Sequence, residues 1–252
     1  MTAEAAPDRT VLRLTGTDRT NFLQGLVTHD AAPGALVYSA LLSPQGKYLA
    51  DFFLLDRGDD ILLDVKTGFA AGLAQRLTMY RLRADVLIED SGLSVARGLG
   101  QGPEGSCADP RHAGLGWRAY GMDGRLATTD WDALRVAHVI PETGIELIPD
   151  ESYILEMGFD RLAGVDHRKG CYVGQEVTAR MKHKTELRKG LARVTIQGAA
   201  PVGTPILADG KPAGTLFTQS GGQALAYLRF DRAKGDLWAA DAVIQWPGGE
   251  NS

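Results

Sequence analysis

The last quarter of the chain constrains the fold most, because Gly, Pro and Asp cut it into short β-rich pieces. Five such pieces follow one another at short intervals, at residues 192–196, 204–207, 213–218, 223–228 and 243–246. Regular short strands separated by turn residues are typical of a small all-β barrel or sandwich. The start of this pattern predicts a domain boundary near Lys189-Gly190 and a carboxy-terminal β-barrel domain at residues 190–252.

The chain before this boundary interleaves strands and helices. Alternating or apolar runs bounded by polar turns predict strands, at residues 11–14, 37–42, 48–55, 61–65 and 84–88. Thr17 or Asp18 can cap a helix, and Phe69, Leu73 and Leu77 repeat at the spacing of an amphipathic helix. The pattern predicts an α+β region with a mixed or antiparallel sheet, divided into a first domain at 1–97 and a second at 98–189.

Two segments of the second domain differ in composition and in predicted secondary structure. Residues 98–114 are rich in Gly, Pro and small polar residues, which predicts a surface loop with Cys107 as an incidental member. Residues 130–139 predict a helix, ended by Pro141 and Gly144.

Composition excludes several classes of protein. The 252 residues carry a net charge of -4, which provides no overall field to attract nucleic acid. No run of 18 apolar residues occurs, and the polar start predicts neither a secretory signal nor a transit peptide. Two cysteines are too few for a zinc or iron–sulfur site within the chain, so we expect no stably bound metal. These features predict a soluble, cytoplasmic protein without nucleic-acid or membrane partners.

The chemistry is concentrated in residues 167–176, HRKGCYVGQE. Cys171 stands between two glycines, after His167, Arg168 and Lys169, and ahead of a predicted helix at 173–182. A cysteine near a helix N-terminus and beside cations is expected to ionise more readily to the nucleophilic thiolate. The alternative is that Cys171 is a buried small hydrophobe and the glycines only shape a turn. On the residues alone, both interpretations stay open.

The segment KGCYVGQE is similar to the K-G-C-[YF]-x-G-Q-E signature of the YgfZ family. The resemblance rests on Lys169 and Cys171 together with the other signature residues, Gly170, Tyr172, Gly174, Gln175 and Glu176. Further segments match in order: residues 16–30, a hairpin at 41–55 with Gly46 and Asp51 in register, residues 80–85, and Gly214-Thr215 with 226–229. The chain is therefore identified as resembling this family over nearly its whole length.

The resemblance implies a fold and a function. YgfZ proteins resemble the T-protein of glycine cleavage (GcvT), which implies a three-lobed ring of ferredoxin-like α+β domains with a carboxy-terminal β-barrel. It implies binding of tetrahydrofolate or a derivative, and partners that are iron–sulfur client enzymes or cluster carriers, including tRNA-modification enzymes. Cys171, assisted by Lys169, would act in the assembly or repair of their clusters. Such a protein is an accessory factor rather than a metabolic enzyme.

Two alternatives remain. One is a T-protein-like aminomethyltransferase, against which the chain has Ala50-Asp51 where T-proteins carry two adjacent acids. The other is a folate-binding scaffold in which Cys171 is structural.

Five residues are candidates to contact folate. Asp51 could accept a hydrogen bond from the pterin ring, or be a solvated acid at a strand end. Arg81 and Arg83 alternate along a predicted strand and could hold a glutamate carboxylate, or form a solvated face. Trp131 could stack on the pterin, or pack in a core. Arg180 belongs to a basic cluster that could meet an anionic tail, or form a soluble helix face.

Overall fold

The computed structural model describes residues 2–183 and 187–248. Its strands are β1 Glu4–Ala5, β2 Arg9–Thr15, β3 Leu36–Leu42, β4 Tyr48–Asp56, β5 Ile61–Lys66, β6 Leu87–Asp90, β7 Val95–Gly98, β8 Cys107–Ala108, β9 Trp117–Tyr120, β10 Lys189–Gln197, β11 Pro205–Ala208, β12 Lys211–Ser220, β13 Gln223–Arg229, β14 Leu237–Ala239 and β15 Ala242–Gln245. Its helices are α1 Arg19–Gln24, α2 Thr67–Arg81, α3 Trp131–His138 and α4 Gln175–Lys182, with a 3-10 turn at Ala113–Leu115.

The chain forms two compact units. Unit 1 contains the residues up to Thr129 together with Asp160–Val177, and unit 2 contains Asp130–Phe159 together with the chain from Thr178 onward. The residues that pack together are thus drawn from separated stretches of sequence. The three predicted domains, 1–97, 98–189 and 190–252, stay a prediction.

Unit 1 is built on a five-stranded antiparallel sheet in the order β3-β4-β5-β2-β6. Side chains alternate along each strand. On one face, Phe52 and Leu63 pack against helix α2 through Leu73 and Leu77, with α1 contributing Leu23. The helices form because their apolar residues recur once per turn and find this face to cover.

The opposite face of that sheet is also covered. Val11 and Leu62 pack there against Val95 of a second, four-stranded sheet in the order β1-β7-β9-β8. Strands β3, β4 and β5 are therefore buried along almost their whole length. Polar residues that fall on this second face must find partners inside the protein.

Unit 2 contains a closed six-stranded barrel in the order β10-β13-β12-β11-β14-β15. Its interior is filled by small and branched apolar side chains such as Val194, Ile206, Leu216 and Ile244. This confirms the predicted barrel. Strand β14 was not predicted, because Leu237–Ala239 is too short to carry a periodic signal.

Other predictions need correction. The predicted strand at 84–88 begins only at Leu87, and α2 runs through Arg81, so Arg81 and Arg83 do not alternate along a strand. The predicted loop at 98–114 contains part of a sheet, because Cys107 pairs with Arg118 across β8 and β9. Strands β7 and β9 were also missed. Hydrogen bonds to partners distant in sequence override weak local preference at these places.

Candidate functional site

The thiol-bearing segment of unit 1 lies against the chain that follows α1. The Thr28 hydroxyl donates to the Gly164 carbonyl at 2.7 Å, and the Asp166 amide donates to the Thr28 carbonyl at 3.0 Å. At the other end, the Val173 amide donates to the Gly25 carbonyl at 3.2 Å. Residues 167–176, which we call the signature loop, are thus fastened at both ends to residues 24–30.

Lys169 adds a buried cation to this attachment. Its side chain is 1% exposed, and its ammonium group lies 2.8 Å from both the Gln24 carbonyl and a carboxylate oxygen of Asp30. A further bond goes to the Val27 carbonyl, and the Tyr172 ring centroid is 5.0 Å from Nζ. The ammonium donates hydrogen bonds to the two carbonyls and forms an ion pair with the Asp30 carboxylate. Burial lowers the pKa of Lys169, and the Asp30 carboxylate opposes that fall.

These contacts change the interpretation of Lys169. The sequence predicted that this cation acts beside the thiol. In the structure, the ammonium group instead contacts residues 24–30, at the end of α1 and just after it. We therefore assign Lys169 as a positioning residue of the signature loop. Asp30 was not among the predicted site residues, although it belongs to the amino-terminal segment that carries the family resemblance.

Cys171 is a free, exposed cysteine. This finding contradicts the alternative in which it is a buried small hydrophobe. The two other basic residues of the motif differ from each other. His167 Nε2 lies 2.6 Å from a carboxylate oxygen of Asp160, whereas the Arg168 side chain is 95% exposed. A thiol carried at the surface by a fastened loop is accessible to a macromolecular partner or to a bulky ligand.

The two glycines of the loop have different roles. Gly174 has a φ of +83°, and a Cβ placed on it would lie 2.6 Å from the Ser43 carbonyl oxygen. Gly46, in the turn between β3 and β4, also has a positive φ, and its Cβ would lie 3.2 Å from the Gly174 carbonyl oxygen. The hairpin turn and the loop therefore approach backbone to backbone. Around Gly170 there is room for a side chain, because the nearest atom would be 3.9 Å from its Cβ.

The rest of the signature has structural roles or faces solvent. Tyr172 is buried, with its ring over the Lys169 ammonium. The Gln175 amide lies 3.5 Å from the Gly170 carbonyl, at the limit of a hydrogen bond across the loop. Glu176 is exposed in the first turn of α4, which begins at Gln175 rather than at the predicted residue 173.

Asp51 lies inside unit 1 and not at a solvated strand end. It is 4% exposed in the middle of β4 and accepts hydrogen bonds from two tyrosine hydroxyls, Tyr38 at 2.9 Å and Tyr48 at 2.7 Å. Burial raises the pKa of Tyr38 well above its ordinary value, and the Asp51 charge adds to that rise. Each oxygen of the carboxylate is engaged by an internal donor.

A second group of buried charges lies between the two sheets of unit 1. The Asp64 carboxylate is fully buried. It forms ion pairs with Arg9 at 2.6 Å and Arg118 at 3.1 Å, and it accepts a hydrogen bond from the Tyr120 hydroxyl at 3.1 Å. Arg118 also lies 3.3 Å from Asp109 and stacks 4.0 Å above the Phe53 ring centroid. This group was not predicted from the sequence, because its members come from segments that meet only in the folded protein.

The predicted folate contacts do not form one site in unit 1. Asp51 points to the sheet face that covers the second sheet, whereas α2, which ends at Arg81, packs on the other face. Arg81 donates to the Val86 carbonyl at 3.1 Å, and Arg83 is exposed in the turn that follows. Trp131 and Arg180 belong to unit 2, where Trp131 is half-buried at the start of α3 and Arg180 is exposed. Their contact with folate stays a prediction.

Two general findings bear on the type of site. Among the described residues, no group of three or more His, Cys, Asp or Glu side chains is arranged to hold a metal ion. No helix in that part of the chain has both the length and the apolar character needed to cross a membrane.

Comparison with solved structures identifies the class of fold. Aminomethyltransferase T of the glycine cleavage system from Bartonella henselae superposes with a TM-score of 0.71 at 11% identity, covering 96% of this chain and 83% of that protein. The family model for the C-terminal β-barrel domain of CAF17 matches residues 188–247. The chain thus has a GcvT-like α+β fold with a carboxy-terminal barrel, which confirms the predicted fold class.

Comparison with sequences identifies the family. Human mitochondrial iron–sulfur cluster assembly factor IBA57 is 32% identical, with 91% of this chain and 78% of the relative covered. The mouse protein of that name is 30% identical at the same coverage, and its homologue from Phaeosphaeria nodorum is 26% identical, covering 89% and 69%. The chain belongs to the IBA57 family of iron–sulfur cluster assembly factors.

These relatives confirm one prediction in part and contradict another. The family predicted from the signature, YgfZ, is a close relative of the IBA57 proteins, so the iron–sulfur assembly connection is confirmed at the level of the family. The predicted cytoplasmic location is wrong by the same comparison, because these human, mouse and fungal relatives are all named as mitochondrial proteins.

Proposed function

We propose that the protein assists the assembly or repair of iron–sulfur clusters in client enzymes, with the Cys171 thiol as the working group. The observation that carries the proposal is an exposed free thiol on a loop whose flanks are hydrogen-bonded to residues 24–30. The family relationship supports the iron–sulfur part. The thiol would lose its proton on binding iron, since the thiolate is the ligand.

A single cysteine determines how a cluster could be held. Iron–sulfur clusters take four protein ligands as a rule, most often cysteine thiolates. Cys171 supplies one, and Cys107 lies in the four-stranded sheet, half-buried, where burial raises its thiol pKa. A cluster or cluster precursor at Cys171 would therefore be held transiently or shared with a second chain.

A tetrahydrofolate derivative is the second part of the proposal. Its support is the sequence resemblance described above. No residue of the predicted contact set is assigned to it, and the function proposed for Cys171 does not depend on it. Anaerobic titration calorimetry with tetrahydrofolate tests this part: saturable binding supports it, and no heat above dilution overturns it.

Aminomethyl transfer is not favoured by the site. The fold likeness at 11% identity concerns architecture alone. The single acid of the hairpin, Asp51, is engaged through both oxygens by tyrosine hydroxyls. A scaffold with a structural Cys171 is also disfavoured, because the thiol is exposed.

The deciding experiment is rescue of a bacterial strain whose YgfZ-type gene is deleted. The readout is the activity of an iron–sulfur-dependent tRNA-modifying enzyme at equal levels of wild type, Cys171→Ala, Cys171→Ser and the matched control Cys107→Ser. We expect rescue by wild type and Cys107→Ser and none by the Cys171 variants. Full rescue by Cys171→Ala would remove the thiol from the proposal, and absence of rescue by wild type would remove the iron–sulfur function.

A further inference from the structure

Thr28 lies between the five-stranded sheet of unit 1 and the chain that leads into the signature loop. Strand β3 is at one end of the order β3-β4-β5-β2-β6, so the backbone groups on its outer side have no neighbouring strand of that sheet to pair with. Residues 27–29 lie along this side. The Thr28 amide donates to the Ala40 carbonyl at 3.0 Å, and Val27 forms an isolated antiparallel bridge with Leu41. Thr28 is fully buried there.

The Thr28 hydroxyl forms one hydrogen bond towards the sheet and one towards the loop. It accepts from the Ala40 amide at 2.9 Å and donates to the Gly164 carbonyl at 2.7 Å. Because the Ala40 amide bonds to the hydroxyl, the backbone carbonyl of Thr28 is available to the Asp166 amide, which donates to it at 3.0 Å. The backbone and the side chain of this one residue therefore each bond in both directions, and they connect β3 to residues 164–166.

Ser39, the residue before Ala40 on β3, supports the next position in the same way. Its buried hydroxyl accepts from the His29 amide at 2.9 Å and donates to the His29 carbonyl at 2.9 Å. Nδ1 of the His29 ring lies 2.8 Å from the Ala163 carbonyl oxygen. His29 is thus held to β3 by its backbone and contacts the start of the next segment with its ring.

The hydroxyl at position 28 can be separated from the volume of the side chain. Valine has nearly the same shape as threonine, but it neither donates nor accepts a hydrogen bond. Thr28→Val would leave the buried Ala40 amide and Gly164 carbonyl without these bonds, at the desolvation cost of each group. Serine keeps the hydroxyl and loses only a methyl group. The two substitutions therefore distinguish the hydrogen bonds of Thr28 from its packing.

We propose that Thr28, supported by Ser39, is a positioning residue for Cys171, because its hydroxyl fixes the start of the signature loop to the five-stranded sheet. This inference rests on the proposed function of Cys171. Lys169 and Val173 hold the middle and the end of the loop to residues near the end of α1. Thr28 holds its start and is the residue through which this attachment continues into β3. Being buried, it acts on the thiol only through the loop.

A second buried threonine provides a matched control. Thr218 belongs to unit 2 and is 6% exposed. Its hydroxyl also donates once and accepts once, to Glu146 at 2.6 Å and from Arg135 at 2.8 Å. Thr28→Val and Thr218→Val therefore remove the same group from similar surroundings, but only the first removes a bond to the chain that enters the signature loop.

Hydrogen exchange and the mobility of a spin label measure the attachment of the loop directly. The label is a nitroxide on Cys171 in a Cys107→Ser background. In Thr28→Val we expect exchange at the Asp166 amide to accelerate about tenfold, and the electron paramagnetic resonance spectrum to gain a more mobile component. Thr28→Ser should stay within about threefold of the parent protein, and Thr218→Val should change neither quantity. An unchanged exchange rate or spectrum in Thr28→Val, or equal changes in Thr218→Val, overturns the proposal.

Ser39→Ala keeps the test decisive if Thr28→Val does not fold. It removes the two bonds that hold His29 to β3 and leaves the Thr28 hydroxyl in place. We expect a smaller acceleration at the Asp166 amide, about threefold. Exchange at the parental rate in Ser39→Ala would show that the loop is not held through β3 and would overturn the proposal.

The rescue assay described above separates this role from the proposed function itself. At equal levels of folded protein, we expect Thr28→Val to lower client-enzyme activity about fivefold or more, and Thr28→Ser and Thr218→Val to stay within about twofold of wild type. Full activity of Thr28→Val would overturn the proposal and leave the function of Cys171 intact. If wild type does not rescue, the proposed function fails, and the exchange and spin-label measurements decide by themselves whether Thr28 positions the loop.

Discussion

The ammonium group of Lys169 lies 2.8 Å from a carboxylate oxygen of Asp30, although the two residues are far apart in the sequence. The same ammonium bonds to the carbonyls of Gln24 and Val27. A cation at the carbonyls that end a helix is favourably placed with respect to the helix dipole. The residue two positions before the thiol thus serves to hold the loop on which the thiol is carried.

Removal of this cation should loosen the loop. Lys169→Met leaves the two carbonyls and the carboxylate without their charged donor, which should lower the free energy of unfolding by about 2 kcal/mol. Hydrogen exchange at the Val173 amide, which donates to Gly25, should accelerate by about thirtyfold. Urea unfolding and exchange measured by mass spectrometry check these values. The exposed Lys211→Met is the control, and an unchanged Val173 exchange rate would show that Lys169 does not position the loop.

The close approach of hairpin and loop predicts that Gly174 does not tolerate a side chain. Gly174→Ala combines a positive φ with a Cβ 2.6 Å from the Ser43 oxygen, and should cost about 3 kcal/mol or more. Gly58 has a similar φ of +91° but open space around it, so Gly58→Ala should cost only about 1 kcal/mol. Urea unfolding of both variants measures the difference. Equal losses would mean that the backbones do not meet as described.

Because two tyrosine hydroxyls bond to Asp51, we expect replacement of this residue to lower the stability of the protein and not only ligand binding. Asp51→Asn replaces a carboxylate oxygen by an amide that donates, which conflicts with one of the two hydroxyl donors. We expect a loss of about 1–3 kcal/mol in the free energy of unfolding, and a smaller loss for Tyr48→Phe. Chemical denaturation without any ligand is the measurement. If Asp51→Asn were as stable as wild type and only tetrahydrofolate binding fell, the carboxylate would be a ligand contact.

The buried Asp109 predicts acid sensitivity. Burial tends to raise the pKa of this carboxyl, but Arg111 and Arg118 outweigh it and lower the pKa to about 2. Since the folded-state pKa lies below the ordinary value of 3.8, the stabilisation is present above that value and is lost as the pH falls towards about 2. The shift corresponds to about 2 kcal/mol.

Unfolding by urea at neutral pH and at pH values between about 4 and 2 tests this contribution. Asp109→Asn should be less stable than wild type by about 2 kcal/mol at neutral pH, and the difference should shrink as the pH falls through this window. The exposed Asp59→Asn should show neither effect. A constant difference between Asp109→Asn and wild type across the window would contradict the ion pairs with Arg111 and Arg118.

Local sequence was sufficient for much of the fold. Strands β3 and β13 were predicted within a residue of their observed bounds, and the existence of helix α2 was predicted from the spacing of its apolar residues. Apolar periodicity and turn residues are local signals that act within a single element. Local sequence did not predict the shortest elements. Strand β14 exists because Leu237–Ala239 is held between β11 and β15, and no local pattern encodes those neighbours.

For the site, the sequence singled out candidate residues, through the order of residues around Cys171 and their likeness to a known signature. The folded structure was needed to show where each of them lies and which groups it contacts. From the sequence, Lys169 could act beside the thiol or hold the loop, and its contacts with residues 24–30 showed the second. Asp51 could face solvent or lie in the core, and the hydrogen bonds from two tyrosine hydroxyls place it in the core. A polar group's role depends on which partners bury it and form hydrogen bonds with it, and those partners are brought together by the packing of distant segments.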